Sequence, residues 1–435
     1  MTSRKLATRR NQSTVTGPRV GLFGLLGSGN TGNDGSLEAV VAYLRTAHPD
    51  AVLDAMCAEP VEVTMRFGIP AVPMHWNRRE YETASSVPAI VRKGLGKVID
   101  AFRIASWARR HDVVIMPGMG AFEATLPLRP WGTPYSLFLL CAFGKWFGTK
   151  VALVSVGADV VRKRATRRLF VAAARRVYFL SYRDSYSQES MRRMGLAERG
   201  DQVYPDLVFS LSTPSEQVDS TNTVGVGVLD YHGGNDDRAR ADELHATYIE
   251  NMKQFVRWLV DDGRNVRLVT GDRVDENVVQ EILADLRDNR PGLEPSRVQA
   301  DPVNSLDDLM RQMATVDTVV ATRYHNVLCA LKLAKPTLSI GYALKNDVLM
   351  AEMGLGEFCQ HADSFDVDRL ISQFTELESR RDELTREMAA RNAANRAKLD
   401  DQFATLNTVL FPGFWRVSQV VAAGAVNASV PDEIG

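Results

Sequence analysis

Short apolar runs, each closed by glycine or a polar turn and followed by a helix-period stretch, recur along most of this 435-residue chain. That alternation is the tightest constraint on its fold. Parallel strands covered on both faces read as unbroken apolar runs, and each needs a helical crossover to reach its neighbour. The runs fall at 19–25, 51–56, 112–116, 151–156 and 178–181, then at 224–229, 266–270, near Val298 and at 318–321. A polar Ser/Thr/Pro stretch at 213–222 separates the two sets and reads as a linker. The expected architecture is α/β: two Rossmann-like, doubly wound domains, 19–212 and 223–400, facing a cleft. Residues 1–18 read as a disordered basic tail, and 401–435 as a closing helix and tail.

Ligands of open α/β sheets lie beyond the carboxyl ends of strands, so the strand ends carry the chemistry. The run 318–321 opens onto Arg323 and His325 before a helix expected from Asn326. Arg323 offers a planar fork for phosphate or carboxylate. His325 can carry a proton near neutral pH. Lys345, at the mouth of the next strand, adds a second positive charge. Together they read as an anion site containing a proton donor.

Two glycine-rich turns flank the first sheet's strand ends. The first holds G-x-G-x-x-G at Gly27, Gly29 and Gly32, with Asp54 on the probable second strand. That spacing fits a dinucleotide loop. The loop is expected to run through Asn33, Asp34 and Gly35 before a helix starts near Ser36, which instead fits a simple turn or an anion cradle. The second turn runs from Pro117 through Gly118 and Gly120 to Glu123. Arg183 reads equally as an anion ligand or as the partner of Asp184, and Asp184 or Ser185 can cap the next helix.

Composition narrows the class. A formal net charge of -1 provides no global attraction to nucleic acid. Cys57, Cys141, Cys329 and Cys359 form no metal or disulfide pattern and read as buried thiols of a reducing compartment. The longest apolar run, 135–143, is too short to span a bilayer, and the N-terminus lacks a secretory pattern. The expected location is cytoplasmic, with peripheral contact at the inner membrane face left open. The basic run Arg162 to Arg168 reads as a solvated face or as a contact for acidic lipid. His232 sits in a glycine-rich loop, as an acceptor contact or a turn residue. No spacing argues for a metal.

Four pieces occur in order. They are the loop Gly24 to Asp34, the Pro-Gly-Met-Gly turn at 117–120, Arg183-Asp184 with Ser187 and then Pro205-Asp206, and Arg323-Tyr324-His325 followed by Gly341-Tyr342 and Lys345. Over about 19–358 the chain resembles the polysaccharide pyruvyl transferase family. The resemblance implies a GT-B-like fold. It implies transfer of a pyruvyl group from phosphoenolpyruvate onto two hydroxyls of a sugar, in a cell-surface glycan or glycolipid precursor, giving a cyclic ketal. The family's catalytic histidine and arginine map onto His325 and Arg323. Two departures, the additional Asn33 and Tyr324 in place of a more usual leucine, bear on acceptor choice.

Ketal formation needs a general acid for the enol carbon, a role that falls to His325. Arg323 and Lys345 would hold the anionic groups, and Arg183 the donor carboxylate. Asp34 or Glu123 would orient or deprotonate the acceptor hydroxyl, with Asn30, Gly118, Gly120 and Tyr342 completing the substrate contacts. The donor is a substrate, so no separate cofactor or metal is expected. Lipid linkage of the acceptor and homo-oligomerisation are left open. Two other readings stand beside this one: a GT-B glycosyltransferase holding a nucleotide sugar near Gly271-Asp272, and a non-catalytic glycan-binding protein of the same fold.

Overall fold

The computed structural model describes residues 17–77, 87–123, 130–214, 221–234 and 238–413. The expected tail before residue 17, most of the linker and the tail beyond 413 lie outside them. Seven strands form the first sheet: β1 (Arg19–Gly24), β2 (Val52–Cys57), β3 (Ala71–Pro73), β4 (Val113–Pro117), β5 (Lys150–Val156), β6 (Phe179–Tyr182) and β7 (Gln202–Val203). Between them run α1 (Thr31–Ala47), α2 (Pro60–Phe67), α3 (Val87–Ala108), α4 (Thr133–Phe147), α5 (Arg164–Ala174) and α6 (Ser185–Arg193). Their order is β3-β2-β1-β4-β5-β6-β7, all parallel.

The second sheet holds β8 (Thr223–Gly227), β9 (Asn265–Val269), β10 (Val298–Gln299), β11 (Thr318–Ala321), β12 (Thr337–Gly341) and β13 (Cys359–His361). Its helices are α7 (Ala241–Asp261), α8 (Glu276–Asn289), α9 (Leu306–Ala314), α10 (Tyr324–Lys332), α11 (Leu344–Glu352), α12 (Val367–Ser379) and α13 (Arg381–Leu410). The order is β10-β9-β8-β11-β12-β13, again all parallel. The order reverses beside β1 in one sheet and beside β8 in the other. These are the switch points where doubly wound sheets open a crevice.

Several elements differ from the sequence reading. Helix α1 begins at Thr31, not near Ser36, because the Asn30 side chain caps it by accepting from the Asn33 N–H at 3.2 Å. Helix α10 likewise begins at Tyr324, which brings His325 into its first turn. The stretch 59–80, which carried no assignment, contains α2 and β3. Pro60 starts α2, and Gly68 ends it in the left-handed region at φ 65. Asp184 is the cap of α6, accepting from the Ser187 N–H at 2.6 Å. All four cysteines are free, three of them buried. No helix among the described residues is long and apolar enough to cross a membrane.

The two sheets meet closely. Thr31 donates to the Gly271 carbonyl across the crevice at 3.3 Å, and Lys332 of α10 donates to the Phe209 carbonyl at 3.1 Å. Helix α13, 30 residues long, returns across the first sheet. Asn407 accepts from Tyr43 at 2.6 Å and lies 2.8 Å from the His48 ring. Lys150 caps the helix end through the carbonyls of Val409 and Leu410. Gln402 is fully buried between Ser155 and Ser181, 3.1 and 2.8 Å away. Replacing Gln402 with alanine strands the Ser155 hydroxyl, leaves Ser181 only the Ser155 N–H at 2.9 Å, and opens a void. The expected cost is about 2–4 kcal/mol, read as a lower urea midpoint with an unchanged slope. An unshifted midpoint would show that α13 docks by other contacts.

Candidate active site

The crevice is assembled from strand ends on both sides. Arg323, the residue before α10, turns its fork onto Asp275, with Nε 2.6 Å from Oδ2 and Nη2 2.7 Å from Oδ1. Asp275 is fully buried and also accepts from the N–H groups of Asp230, Gly271 and Asp272 at 3.0, 3.2 and 3.1 Å. The fork expected to grip an external phosphate is thus directed at an internal carboxylate. Sequence spacing gave no sign of this, because Asp275 lies 48 residues away.

Glu123 occupies the centre. It follows β4 on the first sheet, yet its carboxylate meets Lys345 of α11 on the second at 2.9 Å. Its other oxygen is bonded to Arg183. Burial alone would raise the Glu123 pKa, but Lys345 and Arg183 outweigh it and bring the value down to about 2. Glu123 is therefore a fixed anion and a weak base. Of the two roles expected for it, orienting or deprotonating an acceptor hydroxyl, a carboxylate held this low suits the first.

Arg183 is 4% exposed. Its fork contacts Glu123, Asp184 at 3.4 Å and Asp206 at 4.0 Å. The open choice between ligand and ion-pair partner resolves here toward pairing, with Glu123 as well as Asp184. Burial disfavours the guanidinium charge, but Glu123 and the other acids hold it firmly ionised. The Tyr324 ring lies beneath both cations, 4.6 Å from the Arg183 guanidinium and 5.7 Å from Lys345 Nζ. Tyr342 supplies a second ring 5.3 Å from Lys345. The tyrosine that departs from the family pattern thus makes cation–π contacts a leucine could not make.

His325 stands edge-on to Tyr324, with ring centroids 5.1 Å apart. Its imidazole also rests on Gly32, in the first turn of α1. A Cβ on Gly32 would lie 1.8 Å from His325 Cε1 and 2.0 Å from both ring nitrogens. The third glycine of the G-x-G-x-x-G pattern therefore makes room for a histidine from the other domain. The ring sits at the positive ends of α1 and α10 together, a setting that favours anions and disfavours imidazolium. Burial, then Arg183 and Lys345, push its pKa down to about 3 against a partial lift from Glu123. The imidazole is held neutral near pH 7 by these surroundings, so the proton that the sequence reading allows it there requires added negative charge beside the ring.

The remaining expected contacts serve the loops. Asn30 is spent on capping α1. Asp34 is buried, accepts from the Gly27 N–H at 2.7 Å and lies 3.9 Å from Arg66, so it braces the glycine loop. Gly118, at φ 49, backs onto Ser36, and Gly120 onto the Glu123 carboxylate. Sequence reasoning missed Asn326, which is fully buried behind Arg323 with neither amide atom hydrogen-bonded. It also missed a polar cluster after β8. Asp230 Oδ1 lies 3.0 Å from His232 Nε2 and 3.4 Å from His245 Nδ1. Among the described residues, these three offer the one set of donor atoms close enough to share an ion. His245 comes from α7, so no local spacing announces it.

A family model described as polysaccharide pyruvyl transferase matches residues 30–343. The chain belongs to that enzyme family. The match takes in the Gly32, Glu123, Arg183 and His325 constellation and ends just before Lys345. No curated protein matches. Among solved structures, the UDP-GlcNAc 2-epimerase of Methanocaldococcus jannaschii is similar at TM-score 0.54 and 10% identity, covering 82% of this chain and 92% of its own. That of Neisseria meningitidis, bound to UDP-GlcNAc, is similar at 0.52 and 13%, covering 85% and 94%. Acinetobacter baumannii MurG is similar at 0.50 and 11%, covering 86% and 95%. At such identities the likeness is one of fold: two Rossmann-like domains in a GT-B-like arrangement, as expected for this pyruvyl transferase family member.

The depressed His325 pKa has a testable consequence for stability. Between pH 6.5 and 4.5 the unfolded imidazole holds a proton that the folded one refuses, so stability falls as pH falls. The slope is up to about 1.4 kcal/mol per pH unit. Below pH 4.5, protonation of unfolded carboxylates against the ionised Glu123 adds to the loss. Urea titrations across this range should give a flatter profile for His325→Asn than for the parent. Equal slopes would remove His325 as the source.

Proposed function

We propose that this family member transfers the pyruvyl group of phosphoenolpyruvate to two hydroxyls of one sugar residue in a glycan or glycolipid precursor. The observation that carries the reading is the placement of the His325 ring among Arg183, Lys345 and Arg323, against Gly32 and at two helix N-termini. A small polyanion placed there offsets the field that keeps the imidazole neutral. Donor binding then draws a proton onto His325, so the general acid is loaded by its own substrate. The imidazolium gives that proton to the methylene carbon, and the adjacent carbon becomes electrophilic. One sugar hydroxyl adds to that carbon, phosphate leaves with its bridging oxygen, and the second hydroxyl closes the ketal. Of the two hydroxyl protons, one is balanced by the new methyl group and one by hydrogen phosphate.

In this reading Lys345 meets the donor at the crevice, and the donor competes with Glu123 for it. Arg323, fixed by Asp275, shapes the field and the entrance to α10. Asp275 is a positioning residue. The family assignment supports a glycan acceptor; the phosphoenolpyruvate donor and the ketal are what the family resemblance implies, and the cations and imidazole of the crevice are compatible with them.

The assay mixes purified protein, phosphoenolpyruvate and a panel of glycans and measures phosphate release and the mass of the product. Pyruvylated glycan with stoichiometric phosphate is the expected outcome. Turnover with a nucleotide sugar instead would assign the fold to glycosyl transfer. His325→Ala should lower phosphate release at least about 100-fold with an unchanged melting temperature, and full activity in that variant refutes the proton-donor role. Arg323→Lys should raise the KM for phosphoenolpyruvate, because an ammonium cannot reproduce the two-bond clasp on Asp275. An unchanged KM counts against it. Calorimetry in buffers of different ionisation enthalpy should show proton uptake on donor binding near pH 7. Binding with no proton exchange would mean that His325 stays neutral.

A further inference from the structure

Helices α3, α4 and α5 lie side by side on one face of the first sheet. The outward surface of α3 is unusual for a soluble helix. Leu95, Val98 and Phe102 are exposed at helical spacing, Phe102 to 74%. On α4 beside it, Trp146 is 80% exposed and Phe147 40%. Apolar side chains scattered singly over a surface are ordinary, whereas a contiguous exposed stripe marks an interaction site.

Charge identifies the partner. Over 87–110, 131–150 and 160–176 the sequence carries fifteen lysines and arginines and a single acid, Asp100. Asp100 is buried and turned inward, where it accepts from the Trp76 N–H at 2.7 Å. Arg92 and Lys145 are exposed at the margins of the stripe. Lys150, on β5, is turned to the end of α13; the others make these helices strongly basic in a chain whose formal net charge is -1, so the rest of the molecule balances them. We propose that the α3–α4–α5 face docks on an anionic lipid bilayer, with Leu95, Phe102 and Trp146 entering the headgroup boundary and the basic rim meeting lipid phosphates.

Each property of the face fits that occupant. A basic helix with aromatic and aliphatic residues on its apolar side lies in a membrane interface, and tryptophan favours that depth. Lysines and arginines near the surface of an anionic leaflet are drawn to it. A second copy of this chain fits less well. A two-fold contact sets a patch against itself, so this basic rim would face its own positive charge. Nucleic acid would use the charge but leave the aliphatic stripe unexplained. Helix α3 runs into β4 antiparallel to the strands, so its N-terminal end lies at the crevice edge of the sheet. Docking along it places the crevice mouth beside the bilayer, within reach of an acceptor carried on a lipid.

The test is vesicle co-sedimentation of the full chain at moderate salt, independent of any transfer activity. Vesicles of roughly one-third phosphatidylglycerol in phosphatidylcholine should pull the protein down, and pure phosphatidylcholine should not. The double variant F102S/W146S should bind the anionic vesicles at least tenfold more weakly, with unchanged circular dichroism and melting temperature. The same loss is expected for R92E/K145E. Met65→Ser, at an exposed site on α2 away from this face, should bind as the parent does. Failure of the parent to sediment, equal binding by the F102S/W146S variant, or equal binding to neutral vesicles overturns the proposal. So does a parent dimer in light scattering that F102S/W146S splits, which would assign the face to a second copy.

Discussion

One carboxylate, Glu123, ties the two halves of the crevice together. It is anchored on the first sheet, bonded there to Arg183, and bonded across the gap to Lys345. Isolated buried charges are very costly, and they persist where partners and hydrogen bonds surround them. The arrangement follows from that requirement. Arg183 is matched by Glu123, Asp184 and Asp206, Arg323 by Asp275, and Lys345 by Glu123. Tyr324 fills the space beneath the cations with an apolar face that still attracts them. Removing Glu123 would leave two enclosed cations facing one another.

This pairing sets the state of His325. Burial first, then the nearby Arg183 and Lys345, hold the imidazole pKa low, and Glu123 restores only part of the lost basicity. Neutrality at rest is not an obstacle to acid chemistry, since the sign of the surrounding field changes when a polyanion arrives. In the proposed reading the same field that expels the proton also attracts the anionic donor that restores it.

The fold was legible because it rests on local rules. Apolar runs closed by turns define parallel strands, and strand ends bring Arg323, His325, Lys345, Glu123 and Arg183 to one crevice. The neighbouring pair Arg183–Asp184 was legible, but the long-range pairings were not, because nothing in a linear sequence links Arg323 to Asp275 or Lys345 to Glu123. Helix α1 was placed late because Gly32 and Gly35 are poor helix formers. Their use became visible only in three dimensions, where Gly32 receives the His325 ring and Gly35 the Leu306 side chain. Tyr324 read as a departure from a pattern, yet it underlies the whole cation pair. The Asp230–His232–His245 cluster was invisible because its third member comes from a helix beyond the loop.

If the crevice captures a donor as proposed, capture is an exchange of ion-pair partners. In the proposed reading a donor anion meets cations that already have carboxylates, and the attachment that yields most readily is the one between the sheets. Asp275 receives three backbone N–H groups besides Arg323 and cannot easily yield. Glu123 holds Lys345 by one hydrogen bond, and the lysine has a flexible stem. A donor phosphate that takes Lys345 therefore loosens the tie between the two sheets while supplying a new one through itself. The crevice would then be bridged by substrate in place of Glu123, with His325 and Gly32 still in contact behind it. In that reading binding, protonation of the imidazole and the relative setting of the two domains are coupled, because all three draw on the Glu123–Lys345 ion pair.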